Sequence, residues 1–399
     1  MSPADRLRVL VLTHAWPRHA GDPVGSFVAA LAVALRARGV DSIVSAPSAP
    51  GLPAFEEMDG VPVHRFRYAP RARETLAYTG TMGAQVADSL AGKLAMASYL
   101  AAAASAARRL ARQHEVQLVH AHWWFPAGLV ASGLRAVGGP PVITTLHGSD
   151  LRLAATFPLG NRLVARVARS SAAVTAVSTW LARGAEAVAP GVQVEVAPMP
   201  VLAPLFHPSR DPASREARRL LFVGKLSEQK GLGRLLDAMA TMASPPPLTV
   251  VGAGRVDDAP LRAHARALGL DDAIEWLPLL PQRALADQYR RAALHVIPAL
   301  DEGLGLTGIE ALLCETPVVG FESGGLRDIV LHGTSGLLVP PGSVPALARA
   351  IETLLGDDHR RGDMGRAGRA DISARFGAEQ AAARYESLYR SVLARDTRA

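Results

Sequence analysis

Pro298-Ala-Leu-Asp-Glu302-Gly-Leu-Gly-Leu-Thr-Gly-Ile-Glu310-Ala-Leu-Leu313 is the stretch on which the fold turns. An apolar run at 295–297 ends abruptly before it, a glycine-bearing turn comes next, and helical spacing begins near Leu306. Strand, turn and helix in this order are the unit of a parallel α/β sheet, in which ligands sit beyond the carboxyl ends of the strands. Gly303 and Gly305, on either side of Leu304, allow close backbone approach to a ligand. The helix start at Leu306 offers unpaired N–H groups and a partial positive charge, both suited to a diphosphate. Glu302 flanks the turn and Glu310 lies about one turn into the helix, where carboxylates can accept hydrogen bonds from the paired hydroxyls of a sugar. The plainer reading has Glu302 solvated and Glu310 paired locally. The agreement of strand, glycines and helix start favours a binding site.

The rest of the chain repeats this pattern. Short apolar runs at 8–13, 117–120, 142–145, 173–176 and 194–197 precede a second series at 220–223, 248–251, 274–276, 295–297 and 317–320. Between them, residues 27–38, 232–242 and 261–268 carry helical apolar spacing. The alternation predicts an α/β protein with parallel sheets covered by helices on both faces. Its 399 residues suffice for two such domains. The proline-rich residues 198–212 resist regular structure and divide the series. We therefore expect a first domain over 1–205 and a second over 212–377. The closing segment, 378–399, carries a last helix that could join either domain and is read as packing back on the first.

Composition narrows the class. With 43 Lys and Arg against 36 Asp and Glu, the net charge of +7 favours anionic partners. A 49% hydrophobic content is that of a globular enzyme rather than a disordered chain. The single cysteine, Cys314, excludes an intramolecular disulfide and points to a reducing, cytoplasmic setting. Val9-Leu10-Val11-Leu12 is a short apolar run that reads as a first strand, not a signal sequence. No uninterrupted apolar run reaches the ~18 residues of a membrane span; residues 94–107 read as an Ala-rich packed helix. Arg65-Phe-Arg-Tyr-Ala-Pro-Arg-Ala-Arg73 mixes cations and aromatics, which admits stacking with nucleic acid or a peripheral contact with the inner face of a membrane, with a basic surface loop the commoner case. No nucleic-acid-binding motif is present, so nucleic acid is not an expected partner.

Other strand ends carry further polar groups. In Leu221-Phe-Val-Gly224-Lys225-Leu-Ser-Glu-Gln-Lys230-Gly, two lysines flank a glycine turn, where point charges can neutralise phosphate oxygens. Solvated surface lysines are the bland alternative. Val251-Gly-Ala-Gly254-Arg255 is half of a dinucleotide fingerprint, lacking the third glycine, and turn formation explains it adequately. His120-Ala-His122-Trp-Trp and Leu146-His147-Gly-Ser-Asp150 both come after strands. No Asp-x-Asp pair or cysteine ligand accompanies the histidines, so no metal is expected. His147, beside Gly148, is the better candidate for meeting a substrate hydroxyl, and His120 reads equally as a core histidine. Gly21-Asp-Pro-Val-Gly25-Ser26 joins the first strand to the first helix; it reads as an acceptor or phosphate loop, or as a plain helix start capped by Ser26.

Taken together, these residues resemble the GT-B glycosyltransferases of family 4, over nearly the whole chain and most strongly over 222–339. Glu302 and Glu310 match that family's glutamate pair. Pro317-Val-Val, Ser323-Gly-Gly-Leu and Thr334-Ser-Gly-Leu-Leu-Val-Pro match the family pattern downstream of the pair. The HAHW and LHGSD segments are similar to the acceptor-side half of bacterial polysaccharide and secondary-metabolite members. The resemblance implies two Rossmann-like domains with parallel sheets facing across a cleft. It also implies retaining transfer, without a metal or other cofactor, from a nucleotide diphosphate sugar to a glycan, lipid-linked or small-molecule acceptor. Glu302 would then bind donor sugar hydroxyls, Glu310 the ribose, and Lys225, Lys230, Gly224 and the backbone from Gly303 to Leu306 the diphosphate. His147 would sit against the transferred sugar, with Gly25, Ser26, His122 and Asp150 on the acceptor side.

Three departures stand out. Lys225 replaces the family's usual arginine, Asp328 its glutamate, and Pro198-Met-Pro-Val-Leu202 its Pro-x-Gly-Val-Asp. The rival readings are a sugar-nucleotide epimerase or glycoside phosphorylase on the same fold, a non-catalytic nucleotide-sugar-binding protein, and a nicotinamide oxidoreductase.

Overall fold

The computed structural model describes residues 6–78, 82–156, 159–201, 205–211, 215–254 and 258–396. Two compact units divide the chain: residues 1–200 with 378–399, and residues 201–377.

The first unit is built on an eight-stranded sheet. Its strands are β1 (Leu7–Leu12), β2 (Val40–Pro47), β3 (Phe55–Met58), β4 (Val61–Phe66), β5 (Leu118–His122), β6 (Val142–Leu146), β7 (Ala173–Ala176) and β8 (Val194–Val196), in the order β3-β4-β2-β1-β5-β6-β7-β8. Every pairing is parallel except β3 with β4. Central strands read as continuous apolar runs because helices cover both faces; β6 is buried at all five positions. The second unit's sheet comprises β9 (Leu220–Val223), β10 (Leu248–Ala253), β11 (Ile274–Pro278), β12 (Leu294–Ile297), β13 (Val318–Phe321) and β14 (Gly336–Val339). All its pairings are parallel, in the order β11-β10-β9-β12-β13-β14.

Strand order reverses between β1 and β5 in one unit and between β9 and β12 in the other. Loops leaving the two strands at such a point diverge to opposite faces and open a crevice, the usual ligand position in a doubly wound sheet. The loops that carry the sequence-derived site residues mostly leave these four strands.

The last helix, Ala378–Asp396, belongs to the first unit. Its Tyr385 and Tyr389 are buried in that unit, and Arg38 pairs with Glu386 at 2.7 Å. The proline-rich divider is irregular as expected, but its later part is not a loose tether. Phe206 is buried against Tyr289, and Arg290 donates to the carbonyls of Leu205 and His207.

The basic segment 65–73 is partly built into the first unit. Arg65 lies on β4 with its guanidinium buried, pairing with Glu56 and donating to the Pro17 carbonyl and the Tyr78 hydroxyl. Tyr68 is buried against Tyr99, and Phe66 packs edge-on to the same ring. Arg67, Arg71 and Arg73 remain exposed, Arg67 beside the buried Glu74 and the other two in a short turn. The 94–107 stretch belongs to a 24-residue helix, Leu90–Gln113, apolar enough by length and composition to cross a membrane. In the structure one of its faces, including Met96, Tyr99, Ala103 and Leu110, packs into the first unit's core.

Candidate active site

In the second unit, the loops after β9 and β12 are stitched together. Leu300 N–H donates to the Gln229 carbonyl at 3.0 Å, and the Gln229 side-chain amide donates to the Asp301 carbonyl at 3.1 Å. These contacts carry Lys230 to Glu302, whose Oε2 accepts from the ammonium at 2.5 Å. Both side chains keep partial access to solvent. The lysine and glutamate read separately for phosphate and for sugar therefore form one ion pair. An ammonium has three donors, so Lys230 can hold Glu302 and still address a phosphate.

The Glu302 loop is gripped from its other side as well. Gly325 N–H donates to the Glu302 carbonyl at 2.7 Å, and Asp301 N–H to the Ser323 hydroxyl at 2.9 Å. This grip depends on Gly324, which has φ +60°; a Cβ there would lie 2.3 Å from the Glu302 oxygen. Gly305, at φ +91°, starts the helix Leu306–Leu313, and no side chain caps it. Gly303, Leu304 and Gly305 are buried, so Leu306 and Thr307 form the open part of this helix start.

Glu310, one turn in, accepts a hydrogen bond from the Tyr289 hydroxyl at 2.8 Å. Burial pushes its carboxyl up to about 7, against the lowering effect of that bond. Sequence reasoning missed Tyr289, which lies on a different helix, and nothing in its local pattern sets it apart from a core tyrosine.

Lys225 is exposed, without an ion pair among the described residues. Gly224 lies beside the aliphatic part of Lys230. Gly252 needs its missing side chain for packing, because a Cβ there would meet the Gly224 carbonyl at 2.2 Å. The partial dinucleotide fingerprint is thus a close passage of backbones at the ends of β9 and β10; its Arg255 falls outside the described residues.

In the first unit, the strand ends gather histidines and aromatics. His122 and His147 share a hydrogen bond at 2.9 Å between Nδ1 and Nε2. Trp123 packs against both His147 and His14, with tilted rings at 4.3 Å in each pair. His120 proves to be the core histidine, buried between the Tyr389 hydroxyl and the Thr145 hydroxyl, each at 2.7 Å. Burial lowers the pKa of all four histidines, to about 4 for His14 and about 3 for His120. All are neutral near pH 7, so one of His122 and His147 donates to the other.

Asp150 does not face a ligand, contrary to its reading as an acceptor-side group. It is buried, and its two oxygens accept from the backbone N–H groups of His147 at 2.6 Å and Trp124 at 2.9 Å. Its role is to hold His147 and the Trp123-Trp124 turn in place. The Gly21–Ser26 turn also changes meaning. Gly25, not Ser26, is the residue before the helix Ser26–Ala37, at φ +71°, and a Cβ there would meet the Ala15 carbonyl at 2.2 Å. Inside the turn, buried Asp22 pairs with Arg18 at 2.6 Å and accepts from the Val24 N–H at 3.2 Å, which fixes the turn's shape. The turn does bring Phe27 against His147, at 5.3 Å between rings. Among the described residues, no group of three or more His, Cys, Asp or Glu side chains is placed to hold a metal ion.

Two doubly wound units, each with a polar cluster at its strand-order reversal, define the GT-B class of nucleotide-sugar transferases. Residues 208–371 match the family described as glycosyl transferases group 1, and residues 24–201 match glycosyltransferase family 4. The chain is 33% identical to the 2-deoxystreptamine N-acetyl-D-glucosaminyltransferase of Streptomyces fradiae, over 92% of this chain and 90% of that one. It is also 33% identical to the D-inositol 3-phosphate glycosyltransferase of Thermobispora bispora, over 70% of this chain and 71% of the relative. In structure it resembles sucrose-phosphate synthase from Thermosynechococcus elongatus, with a TM-score of 0.80 at 23% identity, covering 98% of this chain and all of the other. The chain belongs to the GT-B glycosyltransferases of family 4 and uses a nucleotide sugar.

Proposed function

We propose that the enzyme transfers a hexose-type sugar, with retention and without a metal ion, from a nucleotide diphosphate to a hydroxyl of a glycan, lipid-linked or small-molecule acceptor. The observation that carries this reading is the Lys230–Glu302 pair beside an uncapped helix start at the end of β12, with Glu310 one turn further on. Departure of the nucleotide leaves negative charge on the diphosphate and positive charge on the sugar. Lys230, Lys225 and the N–H groups at Leu306 stabilise the former, the role a divalent cation plays in other transferases. Glu302 meets the sugar hydroxyls and Glu310 the ribose. Retention comes from the family resemblance, and no protein nucleophile is assigned. His147 stands against the transferred sugar, its orientation fixed by Asp150 and His122. We assign the enzyme to the cytoplasm on its single cysteine, with any membrane contact peripheral.

The test is Glu310→Ala, assayed for transfer and for stabilisation by UDP, GDP and ADP sugars, since a ligand that binds only the folded state raises its melting temperature. Transfer should fall at least about a hundredfold, which corresponds to roughly 3 kcal/mol of lost transition-state stabilisation, with the fold intact. Unchanged donor turnover in this variant would overturn the reading.

A further inference from the structure

The first unit contains a cavity of about 430 Å³ that the donor chemistry leaves unused. Its size lies within the roughly 300–1,000 Å³ of small-molecule sites. The walls are apolar: Phe125, Leu153, Leu163, Val86, Met96 and Leu76 line most of them. None of the described residues lining it carries a charge. The polar groups are confined to His14, Tyr78, Ser149 and the Trp123 edge. Trp123 is the ring packed against His147, and Ser149 is two residues beyond His147 in the same turn. The cavity therefore opens beside the group assigned to the transferred sugar. His14 makes no hydrogen bond through either ring nitrogen among the described residues, and its Nδ1 is buried without a partner. Burial keeps the ring neutral. An unengaged neutral imidazole at the edge of an apolar space suits a ligand hydroxyl, not an anion.

We infer that this cavity takes the acceptor, and that the acceptor carries an apolar group, alkyl or aromatic, next to the hydroxyl that receives the sugar. This rests on the acceptor-side assignment of His147. The relatives are named for D-inositol 3-phosphate and 2-deoxystreptamine, a phosphorylated polyol and an aminocyclitol. A phosphate or an ammonium group in this cavity would lose water without gaining a counter-charge, a heavy cost in an apolar enclosure. An alkyl chain or aromatic ring gains by leaving water, by roughly a factor of four in affinity for each buried CH₂.

The test uses hexyl, octyl and decyl β-D-glucosides below their micellar concentrations, titrated calorimetrically into the full-length protein. Affinity should rise about fourfold per CH₂ until the cavity is full. Leu153→Trp and Val86→Trp, which fill the space, should each weaken octyl glucoside at least about tenfold. Their thermal stabilisation by the donor nucleotide should match that of the unmodified protein, which shows that both variants are folded. With donor present, octyl glucoside should be glycosylated and inositol 3-phosphate should not. Glucoside binding insensitive to chain length or to both tryptophans overturns the inference, as does efficient transfer to inositol 3-phosphate. If the glucosides bind as expected while no nucleotide sugar is ever turned over, the proposed function fails and the apolar site stands.

Discussion

At the residue scale, the two glutamates of the Pro298–Leu313 stretch have different surroundings and should behave differently. Glu310 titrates near 7 because burial penalises its charge. A carboxyl raised in the folded state above its ordinary value of 4.5 contributes stability below pH 4.5, and that contribution is lost as pH rises through about 7. Ribose hydroxyls, by contrast, are best bound by the ionised form. Donor affinity should therefore rise about tenfold between pH 6 and pH 8, following the ionised fraction. In Glu310→Gln this rise should flatten while the melting temperature at pH 8 exceeds that of the unmodified protein by a few degrees, with the two equal at pH 4. A donor affinity independent of pH would contradict this account. Glu302 instead shares an ion pair with Lys230, so the two should act as a unit. The losses in kcat/KM for Glu302→Ala and Lys230→Ala should sum to clearly more than the loss in the double variant; additive losses would separate their roles. The glutamates were legible because glycine spacing and a strand end frame them. Tyr289 and the burial of Asp150 were not, since each depends on which loops meet in space. The sequence shows Asp150 three residues past His147 but not that its carboxylate bends back to the His147 amide.

At the element scale, the loop after β12 is held by the segment after β13, and the contact runs through Gly324. Gly324→Ala forces a left-handed residue to carry a Cβ, at a cost of about 1–2 kcal/mol before any overlap. The overlap with the Glu302 peptide must then move the loop itself. The expected result is a lower melting temperature together with a donor KM raised at least about tenfold. A variant that is destabilised but keeps its donor KM would show that Glu302 does not depend on this grip. The Ser323-Gly-Gly-Leu motif was visible in the sequence, but its reason was not: a glycine can serve a ligand or a neighbouring backbone, and only the fold distinguishes them. Gly25 makes the same point: the sequence admitted an acceptor or phosphate loop or a plain helix start there, and the fold shows its missing side chain admitting the Ala15 carbonyl. Element existence was read more simply from apolar runs. β2 escaped because Ser42 and Ser45 interrupt its apolar run although both are buried, and β4 escaped because Arg65 sits in it.

At the scale of the whole molecule, the chain order makes the first unit discontinuous: residues 1–200 are completed by 378–399, after the second unit has been made. The alternation of strands and helices gave two α/β units, but it left the last helix free to join either, because an amphipathic pattern specifies a buried face and not the surface that buries it. The structure settles this through tyrosines. Tyr389 hydrogen-bonds His120, Tyr385 donates to the Ala197 carbonyl at 3.1 Å, and Arg384 donates to the Val196 carbonyl at 2.9 Å. Ending the chain at Gly377 removes two buried aromatic rings and orphans the buried His120, at about 1–3 kcal/mol for the orphaned group alone and about 3–5 kcal/mol for each lost ring. Losses of that size rival the entire stability of a domain. The truncated chain should therefore lose its first unit and keep its second. Limited proteolysis with the donor nucleotide present should degrade residues 1–200 and leave a protected fragment spanning roughly 201–377, whereas the full chain resists over both. Protection of both units in the truncated chain would show that the last helix only covers a fold that stands without it.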